Sequence, residues 1–168
     1  MTIRRSGSSL LEILNQILDL SKLESGRYDP ESIDFAPLAF TENSVALMEP
    51  VAAKGGTKIA LTTNIPPSAV VHGPSVVFTQ ILNNLLSNAS RVAHDGAISV
   101  SARLEEAAGG ARLAYSVADT GIGIHADKVA AVFEEFSQAE ASTTRKYGGT
   151  GLGLAIAKKM ANCVGGDI

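Results

Sequence analysis

The chain has 168 residues, a formal net charge of −3 and 45% hydrophobic residues, which together predict one globular domain with an appended element. A charge so close to zero gives no argument for nucleic acid or an anionic membrane surface as a partner. We expect neither a membrane span nor a signal peptide, because no apolar run is long enough and no leader pattern opens the chain. Cys163 is the single cysteine, and we expect it to be a small core residue in a reducing compartment.

The first 23 residues predict an amphipathic helix with a wide apolar arc. This arc consists of Leu10, Leu11, Ile13, Leu14, Ile17, Leu18, Leu20 and Leu23. Such a width is typical of a helix packed on more than one side, as in a bundle, although an ordinary amphipathic helix on its own domain is an alternative. Gly26 and Pro30 are expected to end the helix.

Strand and helix patterns then alternate along the chain. The predicted elements are, in order, a strand at 32–36, a helix at 37–54, a strand at 57–63 and a short strand at 70–72. Pro37 suits the first turn of its helix. Ser75 is a candidate cap for the helix that follows the short strand.

The segment from Gln80 to Arg91, QILNNLLSNASR, predicts a helix with one buried apolar face. Asn84 and Asn88 lie one turn apart on the same side, and Arg91 shares that side. An amide oxygen is a hard, neutral ligand for Mg²⁺, which often takes its remaining ligands from phosphates and water. These side chains suit a cation bound to a phosphate chain, and the alternative is a solvated polar edge.

An antiparallel hairpin is predicted from the alternation in 97–105 and 112–118, with Gly109-Gly110 at its turn. Its second strand leads into the sequence DTGIG at 119–123. An aspartate at a strand end supplies a directional acceptor for the exocyclic amine of a base, and glycines allow close backbone approach to a ligand. Taken alone, the pattern is more typical of a plain turn.

Further along, a short helix is predicted at 126–136, followed by a mobile polar loop at 137–147 that carries two cations, Arg145 and Lys146. The sequence GGTGLGL at 148–154 then enters another helix. Glycine-rich backbone at a helix N-terminus offers free N–H groups and a favourable dipole to phosphate. It is not a P-loop, because no Lys-Ser/Thr pair follows the last glycine at the required spacing.

Four segments in this order resemble the catalytic ATP-binding domain of bacterial sensor histidine kinases. They are Asn84 to Ala89, DTGIG at 119–123, VFEEFSQ at 132–138 and GGTGLGL at 148–154, matching that family's N, G1, F and G2 boxes. The resemblance implies an α+β fold of the Bergerat (GHKL) type. That fold is a two-layer α/β sandwich, with a mixed β-sheet covered by helices on one face, here preceded by a bundle-type helix.

The resemblance also implies a domain division. Residues 1–27 would be the second helix of a dimerisation and phosphoacceptor hairpin. Residues 28–168 would be the ATP-binding catalytic domain, truncated before its last strands, which leaves an exposed sheet edge.

Roles follow from the resemblance for the matching positions. Asn84 and Asn88 would be the catalytic residues, with Mg²⁺ held by Asn88 and with Arg91 near the phosphates of ATP. Asp119 would accept a hydrogen bond from the adenine amine. The other implied nucleotide contacts are Gly121, Gly123, Ile124, Arg145, Lys146, Gly149, Thr150, Gly151, Leu152, Gly153 and Leu154.

A lid over the nucleotide would be formed by residues 125–147, with Phe133 and Phe136 anchoring its helix. The chain departs from the family before the N box, where Pro74 and Val77 replace an expected aspartate and arginine. This change removes a helix cap and an ion pair.

A phosphoacceptor histidine is also missing. His72, His94 and His125 lack the acidic, basic and proline residues that follow the acceptor in the family, so we expect surface or loop histidines. The implied function is therefore that of a protein-histidine kinase which transfers the γ-phosphate of ATP to a histidine on a dimerisation domain absent from this chain. Autophosphorylation by this chain alone is not expected.

The residue at 84 also bears on the reaction. Related ATPases place a glutamate there as a general base, and an amide cannot take a proton. Asn84 thus favours transfer to an imidazole, which is already a nucleophile.

Two alternatives are a nucleotide-binding regulatory module without phosphotransfer and a dimerising structural fragment. The implied partners are the phosphoacceptor helix of the full-length kinase, a response regulator and a second copy bound through residues 1–26, in the cytoplasm. No nucleic acid and no membrane contact are expected.

Overall fold

The computed structural model describes residues 2–107, 110–137 and 150–168. Its helices and strands are α1 (Thr2–Glu24), β1 (Ile33–Phe35), α2 (Pro37–Ala53), β2 (Lys58–Thr63), β3 (Val71–Gly73), α3 (Ser75–Val92), β4 (Ala97–Ala107), β5 (Gly110–Asp119) and α4 (Gly153–Cys163). Two compact units are present: a sheet unit, Glu31–Ile124, and a helical unit, Met1–Pro30 with His125–Ile168.

The sheet unit contains, among the described residues, a mixed sheet of three strands in the order β2-β4-β5. Strand β2 runs parallel to β4, and β4 pairs antiparallel with β5 from Ile98↔Asp119 to Ala107↔Gly110. Strands β1 and β3 form a separate antiparallel pair. The predicted α+β class with a mixed sheet is therefore confirmed.

The core of the sheet unit lies where the apolar faces of α2, α3 and β4 meet. Its buried members are Val45, Ala52, Leu82, Leu86, Ala89, Ala93, Ile98 and Val100. Leu82 and Leu86 are fully buried, and burial of each leucine side chain contributes about 1.5–3 kcal/mol. This packing fixes which side of α3 faces away from the core.

The start of α3 differs from the sequence prediction. Ser75 is not the cap but the first helical residue, and its carbonyl accepts a hydrogen bond from Thr79 Oγ1 at 2.9 Å. Pro74 occupies the cap position, and among the described side chains none caps the helix. Val77 is fully buried, so an apolar residue suits a position where the family usually has an arginine.

The helical unit begins with α1, which Gly26 ends in the left-handed conformation at φ +64°. Helix α1 contacts α4, and Leu20 and Leu23 are buried. The rest of the apolar arc includes the exposed residues Leu10, Leu11, Leu14, Ile17 and Leu18. Within the described residues, no helix combines the length and the hydrophobicity needed to cross a membrane.

Two predictions in the helical unit are wrong. The helix expected at 126–136 is replaced by two single 3₁₀ turns, Ala126–Lys128 and Ala131–Phe133, and the backbone becomes extended at Glu134. Val132 is the one buried residue of these two turns, so the segment buries too little apolar surface to stabilise a continuous helix. Cys163 is exposed rather than buried, because α4 ends at this residue, beyond its buried stripe.

Candidate functional site

The polar side of α3 carries Asn84, Asn88 and Arg91, all of them half-buried. They lie away from the stripe formed by Leu82, Leu86 and Ala89, which is buried in the core. The helical period predicted this arrangement, because residues three and four apart share a face. Arg91 takes part in a further interaction within the chain.

The donor set on α3 suits a cation that brings most of its own ligands. Among the described residues, no three His, Cys, Asp or Glu side chains cluster in a way that could hold a metal ion. Neutral amide oxygens match the preference of Mg²⁺ for oxygen, with phosphates and water as its remaining ligands.

Asp119 is the last residue of β5, paired with Ile98 of β4. Its side chain is exposed, and Oδ1 accepts a hydrogen bond from the backbone N–H of Gly121 at 2.8 Å. This Asx-type turn holds the carboxylate by one oxygen. The other oxygen can therefore accept a directed hydrogen bond from a ligand.

The two glycines after Asp119 meet different surroundings. A Cβ on Gly121 would lie 2.8 Å from Val92 Cγ2 and 2.7 Å from Asp119 Oδ1. Glycine is therefore needed here because the backbone packs closely against the end of α3. Gly123 has φ +71°, a backbone conformation that favours glycine. A Cβ there would meet no atom within 4 Å, so this residue borders open space. Ile124, which follows, is half exposed.

The glycine-rich segment of the helical unit is described from residue 150, whereas Arg145, Lys146 and Gly149 lie outside the described residues. Thr150 Oγ1 donates to Gln16 Oε1 of α1 at 2.8 Å and accepts from the backbone N–H of Leu152 at 3.2 Å. The contact with Gln16 was not predicted, because nothing local in the sequence pairs residues 134 positions apart.

Gly151 is held in the left-handed conformation at φ +72°. A Cβ there would lie 2.9 Å from both Phe136 C and Ser137 O. Leu152 is fully buried, and Gly153 begins α4. The first turn of α4, which includes Leu154, carries the N–H groups that a helix N-terminus can offer to an anion.

Lys159 of α4 is a second polar contact that sequence reasoning missed. Its Nζ lies 2.5 Å from Glu135 Oε1 and 2.7 Å from Glu24 Oε1 of α1. The hydrogen bonds to Glu135 and Glu24 raise the pKa of Lys159, and the hydrogen bond from Lys159 lowers the pKa of Glu24. Basic residues on α4 and acidic residues near α1 are visible in the sequence, but their pairing is not.

The two phenylalanines predicted to anchor the lid differ in their surroundings. Phe133 packs under Lys158, whose Nζ lies 4.9 Å from the ring centroid. Phe136 is 64% exposed and has φ +58°, so its side chain does not anchor this segment.

The histidines are exposed, as predicted. His72 Nδ1 lies 2.7 Å from Asp34 Oδ1 across the β1–β3 pair, and His125 Nδ1 lies 2.5 Å from Asp127 Oδ1.

Comparison with known proteins places these residues in a family. Residues 73–168 match the model of the family described as histidine kinase-, DNA gyrase B-, and HSP90-like ATPase. The autoinducer 2 sensor kinase/phosphatase LuxQ of Vibrio cholerae is 37% identical over 163 residues, which are 97% of this chain and 19% of that protein. The sensor protein GacS of Pseudomonas syringae pv. syringae is 40% identical over 169 residues, 99% of this chain and 18% of that protein.

A solved structure agrees with these relatives. Full-length ShkA in complex with AMPPNP is 30% identical, with a TM-score of 0.80 over 96% of this chain and 32% of that one. The chain thus spans about a fifth of the length of the curated relatives it matches. The predicted resemblance is confirmed: this chain belongs to the family of histidine kinase-, DNA gyrase B- and HSP90-like ATPases, and its relatives there are sensor histidine kinases.

Proposed function

We propose that this chain is the ATP-binding catalytic part of a two-component sensor histidine kinase. It would deliver the γ-phosphate of ATP to a histidine on a helix elsewhere in the full protein. The observation that carries the proposal is the arrangement within the sheet unit, where α3 presents Asn84 and Asn88 and where the turn after β5 holds Asp119. ShkA, a relative in the family, was solved with the ATP analogue AMPPNP.

Adenine recognition is assigned to Asp119. Gly121 occupies one carboxylate oxygen, which leaves the other to accept a hydrogen bond from the 6-amino group. Gly123 borders open space and Ile124 is exposed, so this side of the turn can accommodate a planar ring. A carboxylate acceptor also discriminates against guanine, which presents a carbonyl at the same position.

Phosphate and metal binding is assigned to the polar side of α3. Asn88 would hold Mg²⁺ through its amide oxygen, with Asn84 and Arg91 close to the phosphates. Bound Mg²⁺ would supply compensation for the charge of the triphosphate. The amide at Asn84 cannot act as a general base, which suits an acceptor that needs no deprotonation, such as the neutral nitrogen of histidine.

The helical unit is assigned phosphate contacts of a different kind. The backbone of Gly149, Thr150 and Gly151 and the N–H groups of Gly153 and Leu154 would bind phosphate oxygens at the start of α4. The N–H of Leu152 would join them by exchanging its hydrogen bond to Thr150 Oγ1 for one to phosphate. Arg145 and Lys146 would add positive charge. The proposal divides the chain into residues 1–27, a helix of a dimerisation hairpin, and residues 28–168, the ATP-binding catalytic domain.

Phosphotransfer in trans tests the proposed activity. The chain is mixed with a fragment that carries the phosphoacceptor helix of a sensor histidine kinase, and labelled ATP and Mg²⁺ are added. We expect label on the histidine, its loss with Asn88→Ala and its retention with Asn43→Ala, a matched change at an exposed carboxamide on α2. Persistent labelling by Asn88→Ala would contradict the role of this residue. Nucleotide binding without any labelling would instead favour a regulatory module without phosphotransfer.

A second copy of the chain is proposed as the partner of α1. Its exposed leucines, among them Leu11, Leu14 and Leu18, form an apolar surface of the kind that packs in helical bundles. Leu14→Glu should lower the sedimentation coefficient of the chain if α1 mediates self-association. A wild-type chain that sediments as a monomer, like the variant, would contradict this role of α1. A response regulator downstream and a cytoplasmic location complete the proposal.

A further inference from the structure

Thr120 lies inside the turn that shapes the end of β5, and the nucleotide roles above do not use its side chain. Its backbone N–H donates to Ala97 O at 3.1 Å, and its Oγ1 accepts from the backbone N–H of Ala97 at 3.0 Å. Thr120 thus holds both polar backbone groups of one residue on β4. The pairing of β4 with β5 is thereby extended one residue beyond the pair Ile98↔Asp119.

The space around this hydroxyl is closely fitted. A Cβ on Gly96 would lie 2.2 Å from Thr120 Oγ1, so glycine at that position leaves the room which the hydroxyl fills. The carbonyl of Gly96 also accepts from the backbone N–H of Lys58 at the start of β2. The contact between Thr120 and Ala97 therefore lies where the ends of all three strands of the β2-β4-β5 sheet meet.

One residue of backbone links this contact to the carboxylate of Asp119. Its Oδ1 accepts from the N–H of Gly121, and Thr120 is the residue between them. If Thr120 is fixed against Ala97, the N–H of Gly121 is fixed and the carboxylate has one direction. If that backbone is loosened, the carboxylate still exists but its free oxygen is no longer aimed.

We propose that Thr120 is a positioning residue for adenine recognition, which aims the free carboxylate oxygen of Asp119 at the 6-amino group by holding Ala97. The inference rests on the proposed function and adds a determinant of base selectivity to it. A positioning role predicts a particular signature. Loss of the hydroxyl should weaken the directed hydrogen bond to the amine and spare the contacts to the phosphates and to the rest of the ring.

The experiment compares two nucleotides by calorimetric titration in the presence of Mg²⁺. One is ATP, and the other is purine riboside 5′-triphosphate, which lacks the 6-amino group. Thr120→Val removes the hydroxyl at constant shape and should reduce the preference for ATP about fivefold, the worth of one hydrogen bond. Thr120→Ser retains the acceptor and should retain the preference.

Two further variants separate positioning from general stability. Thr63→Val removes a hydroxyl that accepts from the backbone N–H of Ile65 at 3.0 Å elsewhere in the sheet unit, and it should leave the preference unchanged. Gly96→Ala keeps the hydroxyl but displaces it, and should reduce the preference even if Thr120→Val folds poorly. The double variant Gly96→Ala/Thr120→Val should reduce the preference for ATP little more than either single change does, because both changes act on one contact.

Equal weakening of both nucleotides by Thr120→Val and Gly96→Ala, or an unchanged preference, would overturn the inference. A wild-type chain that binds both nucleotides equally would also overturn it. If the folded wild-type chain binds neither nucleotide, the proposed function itself fails, which is a distinguishable result.

Discussion

The two units hold their candidate nucleotide-binding residues by different means. In the sheet unit, Asn84 and Asn88 lie on a helix whose opposite side is buried at Leu82 and Leu86, and Asp119 ends a strand paired along its whole length. In the helical unit, α4 is anchored by a buried stripe that includes Ile156 and Met160. The segment around Gly151 that precedes α4 is positioned in addition by separate polar and close backbone contacts.

This difference indicates which substitutions should disturb the sheet unit and which should disturb the helical unit. Positions set by an apolar core share their stability over many contacts, so they resist single surface changes and fail when a core residue is lost. Positions set by a few separate contacts can be disturbed one contact at a time. Single substitutions in each unit test that contrast, and we expect their effects to decrease in the following order.

The largest effect is expected from Leu82→Ala in the sheet unit. Leu82 is fully buried beneath the polar side of α3, so the change should lower the free energy of unfolding by about 2–5 kcal/mol. Leu47→Ala, at a position on α2 that is 63% exposed, should stay within about 0.5 kcal/mol of the wild type. Denaturant unfolding followed by circular dichroism measures the stability of both variants. Equal effects of Leu82→Ala and Leu47→Ala would contradict the claim that the buried core holds α3.

The next largest effect should come from Gly151→Ala in the helical unit. A left-handed residue costs alanine about 1–2 kcal/mol, and here the added Cβ also meets backbone atoms of Phe136 and Ser137. Gly165→Ala is the matched control, because Gly165 has φ +75° and open space around it. Thermal unfolding should show a larger loss for Gly151→Ala, and equal losses would mean that the close packing is relieved at no cost.

A moderate effect is expected from Tyr115→Phe in the sheet unit. Thr41 Oγ1 donates to Pro37 O at 2.7 Å, so the hydroxyl of Tyr115 donates to Thr41 Oγ1 at 3.0 Å. Loss of this hydrogen bond should lower the free energy of unfolding by about 1 kcal/mol at neutral pH.

The pH dependence of unfolding sharpens this prediction. Burial raises the pKa of Tyr115 above its ordinary value of 10.0. The unfolded chain therefore loses the phenolic proton first, so the contribution of Tyr115 to stability should be constant below pH 10 and fall as the pH rises above it. Tyr115→Phe should reduce that alkaline loss, and an unchanged alkaline slope would contradict the burial of the phenol.

The smallest effect is expected from Lys159→Met in the helical unit. The side chains that Lys159 joins are partly exposed, so solvent screens the contact. Because the pKa of Lys159 is raised, its contribution should be present below its ordinary pKa of 10.5 and be lost as the pH rises beyond it. Because the pKa of Glu24 is lowered, its contribution should be lost as the pH falls below 4.5.

Unfolding midpoints across pH, with added salt as a second variable, measure the effect of Lys159→Met. Lys158→Met is the comparison, since that neighbour lies over the ring of Phe133. A salt-insensitive loss common to both variants would show that the carboxylates of Glu24 and Glu135 do not hold α4.

The sequence predicted the elements whose residues repeat with a period. The buried stripe of α3, the β4–β5 hairpin and the placement of Asn84, Asn88 and Asp119 all follow from helical and strand periodicity. The relative positions of Gln16 and Thr150, or of Glu24 and Lys159, could not be predicted, because pairs 134 and 135 residues apart carry no local signal.

The errors have the same origin. The stretch 126–136 has helical composition, but the structure makes only single turns there, with Val132 as their one buried residue. Tertiary packing rather than propensity decides whether such a segment is helical. The role of Thr120 could not be predicted either, because its contact with Ala97 depends on strand register and not on neighbouring residues.

Calorimetric titration of the chain with ATP, with and without Mg²⁺, tests the proposed nucleotide site most directly. We predict binding that requires Mg²⁺, that is lost in Asn88→Ala and that is retained in Asn43→Ala. A folded chain that binds no ATP, or an Asn88→Ala variant that binds it as tightly as the wild type, would contradict the proposal.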